Sequence, residues 1–226
     1  MPAKKKVAEE ATNNAPEKVE AQVPTVTLQN GTVINCIDLF RDTLLETKRE
    51  GMPQFLDYVA SLGFLDAPCS GGNHLCKKGG LIEHSVNVFL NAERIALALY
   101  GPDEYQNIKD SVAIASLLHD LGKCGDFGKK MYVDNVLKSG KISDAKPFKR
   151  NPDLSAVPHA VRSVKLITLY LDLTEDEEWA ILCHDGLYDF MKYEMQGHET
   201  PLQMIVHWAD MWASHVQEVS ESEGDE

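Results

Sequence analysis

The chain has 226 residues, of which 43% are hydrophobic and 25% charged, proportions typical of a soluble globular protein. Its apolar runs fall far short of the roughly 18 residues that a membrane-spanning helix needs, which excludes a membrane bundle, and the apolar content excludes a fully disordered chain. The net charge is −13, and residues 23–216 retain −8 of it. An acidic body disfavours a long nucleic-acid duplex as partner, because phosphate neutralisation needs clustered lysine and arginine.

The N-terminal segment lacks the features of a packed domain. Residues 1–22 are rich in Ala, Glu, Lys, Asn and Pro without an apolar period, which predicts a disordered tail. No apolar stretch follows the basic start, so no secretory signal is predicted, and five cysteines without CxxC spacing indicate reduced thiols in a cytoplasmic protein. Residues 23–35 alternate β-branched residues around Asn30-Gly31, which favours a short hairpin or an extended arm.

Helical periodicity begins at Cys36 and continues through most of the chain. A Gly101-Pro102 pair separates two of the predicted helices, and a capping box of Thr174 and Glu177 opens another. Residues 129–157 are basic and contain prolines, which predicts a loop or a small β-hairpin. The apolar stripes predict helices around 37–45, 55–62, 81–100, 108–121, 159–171, 175–185 and 201–219, with Gly122 as a C-cap and with Gln203 reaching back to the N-cap Thr200. The sequence therefore predicts one all-α domain of six or seven helices over 36–216, followed by an acidic C-terminal tail over 217–226.

Histidine and aspartate occur at helix ends and on apolar helix faces. His119-Asp120 directly follows an apolar helix, and His84 lies at the head of a helix after a Gly-Gly turn. Asp210 lies within a helix that is apolar on most sides. Burying an unpaired carboxylate costs several kcal/mol, so an aspartate at that position needs a metal or another cation.

Two more candidates, His159 and the pair His184-Asp185, lie between these positions. Successive candidate histidine and aspartate positions are 25 to 40 residues apart, which is about one helix plus a connection. This spacing lets successive helices of a bundle each direct one ligand into a shared centre. Imidazole and carboxylate are suitable ligands for a divalent metal such as Mn, Fe, Co, Ni or Zn.

The blocks GGLIEHSVNV and SLLHDLGK, followed by the distant Asp210, make the pattern H…HD…D. This pattern resembles the HD superfamily of metal-dependent phosphohydrolases. The segments before His84 and after His119-Asp120 also resemble uncharacterised bacterial and phage members. The resemblance covers roughly residues 36–216, and it is specific for the superfamily but not for the substrate.

The resemblance implies an HD-domain helical bundle that holds divalent metal ions. The residues that match the one-metal set of the family are His84, His119, Asp120 and Asp210. His159 and His184 match positions at which two-metal members place further histidines, with Asp120 bridging the two ions. The alternative is a one-metal site in which these two histidines are core or capping residues. Asp185 is a candidate ligand, partner of a ligand or proton-transfer group.

The implied reaction is cleavage of a phosphate ester or anhydride of a nucleotide-like substrate by a metal-activated water. Lys123 follows the HDLG segment and could bind a phosphoryl oxygen as a point charge. The candidate catalytic residues are therefore Asp120, Lys123 and Asp185. The candidate substrate-binding residues are Lys123, Lys129, Lys149 and Arg150, the last three from the most basic stretch of the body, for which an ordinary solvated surface is the alternative.

Two other functions are compatible with the same residues. Some HD proteins hold a mixed-valent di-iron pair and oxidise a C–H or C–P bond with O₂, and a non-catalytic module could bind a nucleotide as a signal. The expected partner is a small phosphorylated substrate, without a long nucleic-acid duplex and without a membrane. The sequence does not predict the oligomeric state. The remaining histidines, which are His74, His198, His207 and His215, are expected to be structural or surface residues.

Overall fold

The computed structural model describes residues 23–188 and 191–219. The predicted N-terminal tail and most of the predicted acidic C-terminal tail lie outside these residues. The described residues form seven α-helices and three two-stranded antiparallel sheets, which confirms the predicted all-α bundle with a small hairpin. No helix in these two ranges is long and apolar enough to cross a membrane.

The helices are α1 (Cys36–Glu46), α2 (Met52–Ser61), α3 (Gly80–Leu118), α4 (His159–Ile167), α5 (Glu175–Leu182), α6 (Lys192–Met195) and α7 (Pro201–Trp212). The strands are β1 (Thr25–Thr27), β2 (Val33–Asn35), β3 (Gly125–Asp126), β4 (Lys129–Lys130), β5 (Tyr132–Asp134) and β6 (Phe148–Arg150). Short 3₁₀ turns occur at Phe64–Asp66, Leu121–Cys124 and Gly186–Tyr188, and a π-helical turn at Ala213–Gln217 continues α7.

Helix α3 lies at the centre of the bundle and packs against α1, α5 and α7. Its fully buried side chains come from both of its ends, among them Leu81, Ile82, Ile114, Leu117 and Leu118. The polar side chains of His84 and Ser116, which lie near its two ends, are fully buried as well.

The chain leaves helical geometry at Gly101, as the Gly101-Pro102 pair predicts. Gly101 has φ 72° and ψ 171°, and Pro102 opens the second half of α3. Proline suits a first helical turn because its ring fixes φ and because it has no N–H group to leave unpaired. The second half therefore begins at Pro102 and not at the predicted Ile108.

The turn after α3 differs from the prediction. The helix ends at Leu118, and Leu121–Cys124 forms a 3₁₀ turn, so Gly122 is not the C-cap of this helix. A β-carbon on Gly122 would lie 2.1 Å from the carbonyl oxygen of His159. Glycine is required here because α4 approaches this turn closely, and the Gly122 N–H donates a hydrogen bond to Ser163 Oγ at 2.8 Å.

Three helices end earlier than the apolar pattern predicts. Helix α4 ends at Ile167, α5 at Leu182 and α7 at Trp212, where the π-helical turn begins. The pattern misplaces these ends because buried apolar residues continue beyond each of them, at Leu171, Cys183 and Ala213 respectively. The early end of α5 leaves the next His-Asp pair in a turn that faces the centre of the bundle.

The predicted helix starts are largely confirmed. Thr174 and Glu177 form a capping box at the start of α5. Thr200 caps α7 by accepting a hydrogen bond from the Gln203 N–H at 3.4 Å. The prediction that the Gln203 side chain reaches back to this cap was wrong. Its amide donates instead to the Cys183 carbonyl at 3.0 Å, which ties α7 to the end of α5.

The basic segment after the 3₁₀ turn forms the predicted small hairpin. Strands β5 and β6 pair with Tyr132 opposite Arg150 and Val133 opposite Lys149. Strands β1 and β2 form a second hairpin, which pairs Thr25 with Asn35 and packs against α3.

Candidate metal centre

The structure brings the seven candidate histidines and aspartates together between α3, α4, α5 and α7. The first half of α3 provides one histidine, its C-terminal end provides a histidine and an aspartate, and the first residue of α4 provides a third histidine. The turn after α5 contributes a His-Asp pair, and α7 contributes an aspartate from its middle. In chain order these residues are His84, His119, Asp120, His159, His184, Asp185 and Asp210.

One cluster forms around His84, which is fully buried. Its Nε2 lies 3.3 Å from His119 Nε2 and 3.2 Å from Asp210 Oδ1. Asp120 Oδ2 is 3.4 Å from each of these two imidazole nitrogens. The side chains of His84, His119 and Asp210 therefore meet Asp120 Oδ2 at one point. This arrangement could hold a metal ion.

A second cluster forms on the other side of Asp120. His159 Nε2 lies 3.2 Å from Asp120 Oδ1, 3.1 Å from His184 Nε2 and 3.3 Å from Asp185 Oδ2. His184 Nε2 lies 3.6 Å from Asp120 Oδ1. His159, His184 and Asp185 again form a group that could hold a metal ion.

Asp120 therefore presents one carboxylate oxygen to each cluster. Its side chain is 1% exposed, and Oδ1 has no hydrogen-bond partner among the described residues. A buried oxygen without a partner is costly, and a cation is the group that removes this cost most directly. The donor set of imidazole nitrogens and carboxylate oxygens fits one or two borderline divalent ions.

The charges in this centre stabilise one another. Burial raises the pKa of Asp120, but Lys123 and His119 outweigh burial and hold the pKa well below its usual value. Lys123 Nζ lies 2.5 Å from Asp120 Oδ2. Burial lowers the pKa of Lys123, and Asp120 outweighs it in turn, so that this pKa lies well above its usual value. Asp120 is thus ionised, as a metal ligand must be.

The two histidines of the second cluster differ. Burial lowers the pKa of His159 to about 4, so this ring is neutral at pH 7 and has a nitrogen lone pair free for a metal. Burial also disfavours the charged form of His184, but Asp185 and Asp120 outweigh burial and raise its pKa to about 9. A divalent cation would replace the proton that these carboxylates otherwise attract.

The outward-facing ring nitrogens of two ligand candidates bind their own helix ends. His119 Nδ1 lies 2.7 Å from the Ser116 carbonyl, and His184 Nδ1 lies 2.7 Å from the Ile181 carbonyl. Nδ1 must donate these hydrogen bonds because carbonyl oxygens only accept. In the neutral form of each ring, Nε2, which faces the clusters, is therefore the nitrogen with the free lone pair.

A cavity of about 560 Å³ opens onto the centre. Lys123, Asp185 and Asp210 line it together with Tyr132 and Tyr188. Lys123 is the one lysine or arginine among the described residues of this lining. The cavity can therefore admit a small molecule to both clusters.

The other candidate substrate-binding residues lie outside this lining. Lys129, Lys149 and Arg150 are exposed on the strands after the 3₁₀ turn. Lys129 Nζ donates to the Asp153 carbonyl at 2.8 Å, and Arg150 donates to the Val157 carbonyl at 3.4 Å. A role for these three residues in substrate binding remains a prediction.

Three residues near the centre were not among the predicted site residues. His74 was expected to be structural or on the surface, but it lines the cavity and its ring centroid is 5.0 Å from that of His84. Cys69 Sγ lies 3.3 Å from His74 Nε2. Glu218, from the predicted acidic tail, accepts a hydrogen bond from His84 Nδ1 at 2.9 Å. The position of His74 just before the first ligand candidate was a usable signal, whereas nothing distinguishes Glu218 from its acidic neighbours.

Comparison with known protein families identifies the domain that contains these residues. The sequence model of the HD domain family, whose members bind divalent metals and are typically metal-dependent hydrolases, matches residues 81–211. This range covers more than half of the chain and contains all seven candidate histidines and aspartates. No curated protein and no solved structure matches the chain.

Proposed function

The chain belongs to the HD domain family, and on that premise we propose that it is a metal-dependent phosphohydrolase that cleaves a phosphate ester or anhydride of a nucleotide-like substrate. This proposal rests on the position of the Asp120 carboxylate between the two clusters. Each carboxylate oxygen faces a separate group of histidines, and Oδ1 lacks a hydrogen-bond partner within the described chain. A carboxylate whose two oxygens face separate groups of imidazoles could contribute one ligand atom to each of two ions.

Two sets of ligands follow from this division. One ion would be held by His84, His119, Asp210 and Asp120 Oδ2. The other would be held by His159, His184 and Asp120 Oδ1, with Asp185 close enough to complete the set. When bound, such ions lower the pKa of a water molecule towards neutrality and offset the charge that develops on phosphoryl oxygens.

The protein's own groups prepare the site for an anionic substrate. Lys123 neutralises part of the charge of Asp120 and has its ammonium group at the cavity, where it can also contact a phosphoryl oxygen. Asp185 is the most exposed carboxylate of the centre, with 35% of its side chain accessible. Because it faces both the cavity and His159, Asp185 is the group best placed to accept or return a proton during turnover.

The cavity favours a small substrate with a ring. Tyr132 and Tyr188 line the wall and can stack on a nucleobase, while Lys123 supplies a single positive charge. Tyr132 lies opposite Arg150 in the β5–β6 hairpin, and directly opposed residues project from the same face of a sheet. This register supports our proposal that Arg150 receives the more distant part of the substrate. Lys149 is the next residue along the strand and projects from the opposite face, so the register does not extend the proposal to it.

The proposal is tested by metal content and phosphate release. The full chain is purified without a chelating column, its metals are measured by plasma mass spectrometry, and phosphate release is followed with nucleotides and simple phosphate esters. We expect about two ions per chain, and we expect Asp120→Asn to lower kcat/KM about 1,000-fold, because several kcal/mol of metal-derived stabilisation is lost. Asp103→Asn, which makes the same change at an exposed aspartate, is the matched control.

Three results would contradict this function. Asp120→Asn with unchanged metal content and turnover would remove the bridging role. Iron as the only bound metal, with O₂ uptake and no phosphate release, would instead support the di-iron oxygenase. Tight nucleotide binding without turnover across Mn, Co, Ni and Zn would support a non-catalytic module.

A further inference from the structure

The three buried histidines of the centre differ in what holds their outer ring nitrogen. His119 and His184 each follow the end of a helix, and each bonds the carbonyl three residues before it. The last four carbonyls of a helix have no partner within the helix, so a histidine at that position finds a local acceptor. His84 lies in the second turn of α3, where the helix carbonyls accept hydrogen bonds from N–H groups one turn later, so none is left for the ring.

Glu218 supplies the acceptor that α3 does not have. His84 Nδ1 lies 3.1 and 2.9 Å from the two Glu218 carboxylate oxygens, across a sequence separation of 134 residues. The Glu218 side chain is 2% exposed, so its charge is desolvated and directed at this ring. A carboxylate that accepts from a ligand histidine fixes the orientation of the ring and makes the opposite nitrogen a better donor to a metal.

A row of amides holds Glu218 in this position. Asn91 donates to Gln217 at 3.0 Å, Gln217 donates to Asn87 at 2.9 Å, and Asn87 donates to Glu218 at 2.9 Å. His84, Asn87 and Asn91 lie on one face of α3, because their spacing of three and four residues matches the helical period. Each amide donates its N–H to the next group on the way to the carboxylate. In such a chain of hydrogen bonds, each bond polarises and strengthens the next.

We infer that Glu218 is a positioning residue for the metal centre, and that the π-helical turn after α7 is the device that brings it to His84. Helix α7 contributes Asp210 to the first cluster, and its continuation contributes Glu218 behind the same cluster. π-Helical turns occur frequently at functional sites. This inference rests on the metal-binding part of the proposed function and is independent of the bond that is cleaved.

The test compares Glu218→Gln and Glu218→Ala in the full chain, with Glu178→Gln at an exposed position of α5 as the matched control. Zn²⁺ affinity is measured by competition with a chromophoric chelator. We expect Glu218→Ala to weaken Zn²⁺ binding 10- to 100-fold, the usual effect of removing such a partner. Glu218→Gln retains an acceptor without the charge, so its loss is smaller, and the control is unchanged.

A spectroscopic readout separates positioning from general stability. The ring N–H proton of His84 is followed by NMR in the chelated and in the Zn²⁺-loaded protein, and it is assigned by its absence from His84→Gln. In the wild type we expect a downfield proton that exchanges slowly with water, retained in Glu218→Gln and lost in Glu218→Ala. Glu218→Gln is nearly isosteric, so the test remains decisive where the alanine variant does not fold.

The outcomes for this inference and for the proposed function are distinct. Wild-type Zn²⁺ affinity and an unchanged His84 proton in Glu218→Ala would contradict the positioning role without contradicting the hydrolase. Where Glu218→Ala does not fold, wild-type Zn²⁺ affinity in Glu218→Gln is the result that contradicts it. A wild-type chain that binds Zn²⁺ with the expected dependence on Glu218, yet releases no phosphate from any ester, would overturn the hydrolase alone.

Discussion

Two buried carboxylates in this protein have very different surroundings. Glu177 of α5 has a side chain with 0% exposure, and the chain itself satisfies both of its oxygens. Arg49 donates to them at 2.7 and 2.9 Å, Ser111 Oγ donates at 2.8 Å, and the Thr174 N–H donates at 2.9 Å. The guanidinium and the carboxylate form a bidentate pair, which is the geometry that best compensates a buried charge.

Asp120 is equally buried but is incompletely satisfied. Lys123 contacts one of its oxygens, while the other faces two imidazole rings and has no hydrogen-bond partner within residues 23–188 and 191–219. Burial of a carboxylate is therefore not by itself a sign of function. A candidate metal ligand is distinguished by a buried oxygen atom that receives no hydrogen bond from the protein.

The largest effect expected in the Glu177 region is on stability. Glu177→Gln leaves the Arg49 guanidinium without its counter-charge, and breaking a buried pair from one side costs about 3 kcal/mol. Urea unfolding at pH 7 measures this loss. Metal content and turnover per folded chain should stay at wild-type values, and a loss of metal in this variant would show that the two regions are not independent.

Metal binding should stabilise the two variants differently. A ligand that binds only the folded state at 100 times its Kd adds about 2.7 kcal/mol to the free energy of unfolding. We expect this gain from Mn²⁺ in the wild type and in Glu177→Gln, but not in Asp120→Asn. Thermal unfolding with Mn²⁺ and with a chelator provides the measurement, and equal stabilisation of Asp120→Asn would remove Asp120 from the ligand set.

A smaller effect should appear in the pH dependence of stability. Burial raises the pKa of Glu177, but hydrogen bonds from Arg49, Thr174 and Ser111 outweigh burial, so the folded-state pKa lies below the ordinary 4.5. A carboxylate with a lowered pKa stabilises the folded state above its unfolded pKa and loses this contribution as the pH falls through the folded value. The stability difference between wild type and Glu177→Gln should therefore narrow below pH 4.5. A difference that stays constant between pH 6 and pH 3.5 would contradict this assignment.

Much of the architecture followed from local sequence signals. The helix stripes, the Gly101-Pro102 break and the Thr174 capping box were predicted, and the basic segment forms the predicted hairpin. Helix ends were less accurate, because the buried side chains of Leu171 and Ala213 continue the apolar pattern beyond the helices. The role of Gly122 was also mistaken, because a glycine needed for close packing looks like a helix cap until the packing helix is known.

The sequence by itself determined the candidate metal ligands, since His119-Asp120 and the other candidates occur at positions that helix periodicity brings to one end or face of each element. Only the tertiary structure decided how the two oxygens of Asp120 divide, and that Glu218 and not a local carbonyl supports His84. It also decided that Arg49 forms the ion pair with the buried Glu177 carboxylate. The physical reason is the difference in sequence separation. Periodicity and capping depend on residues a few positions apart, whereas these contacts join groups up to 134 residues apart that meet only when the helices pack.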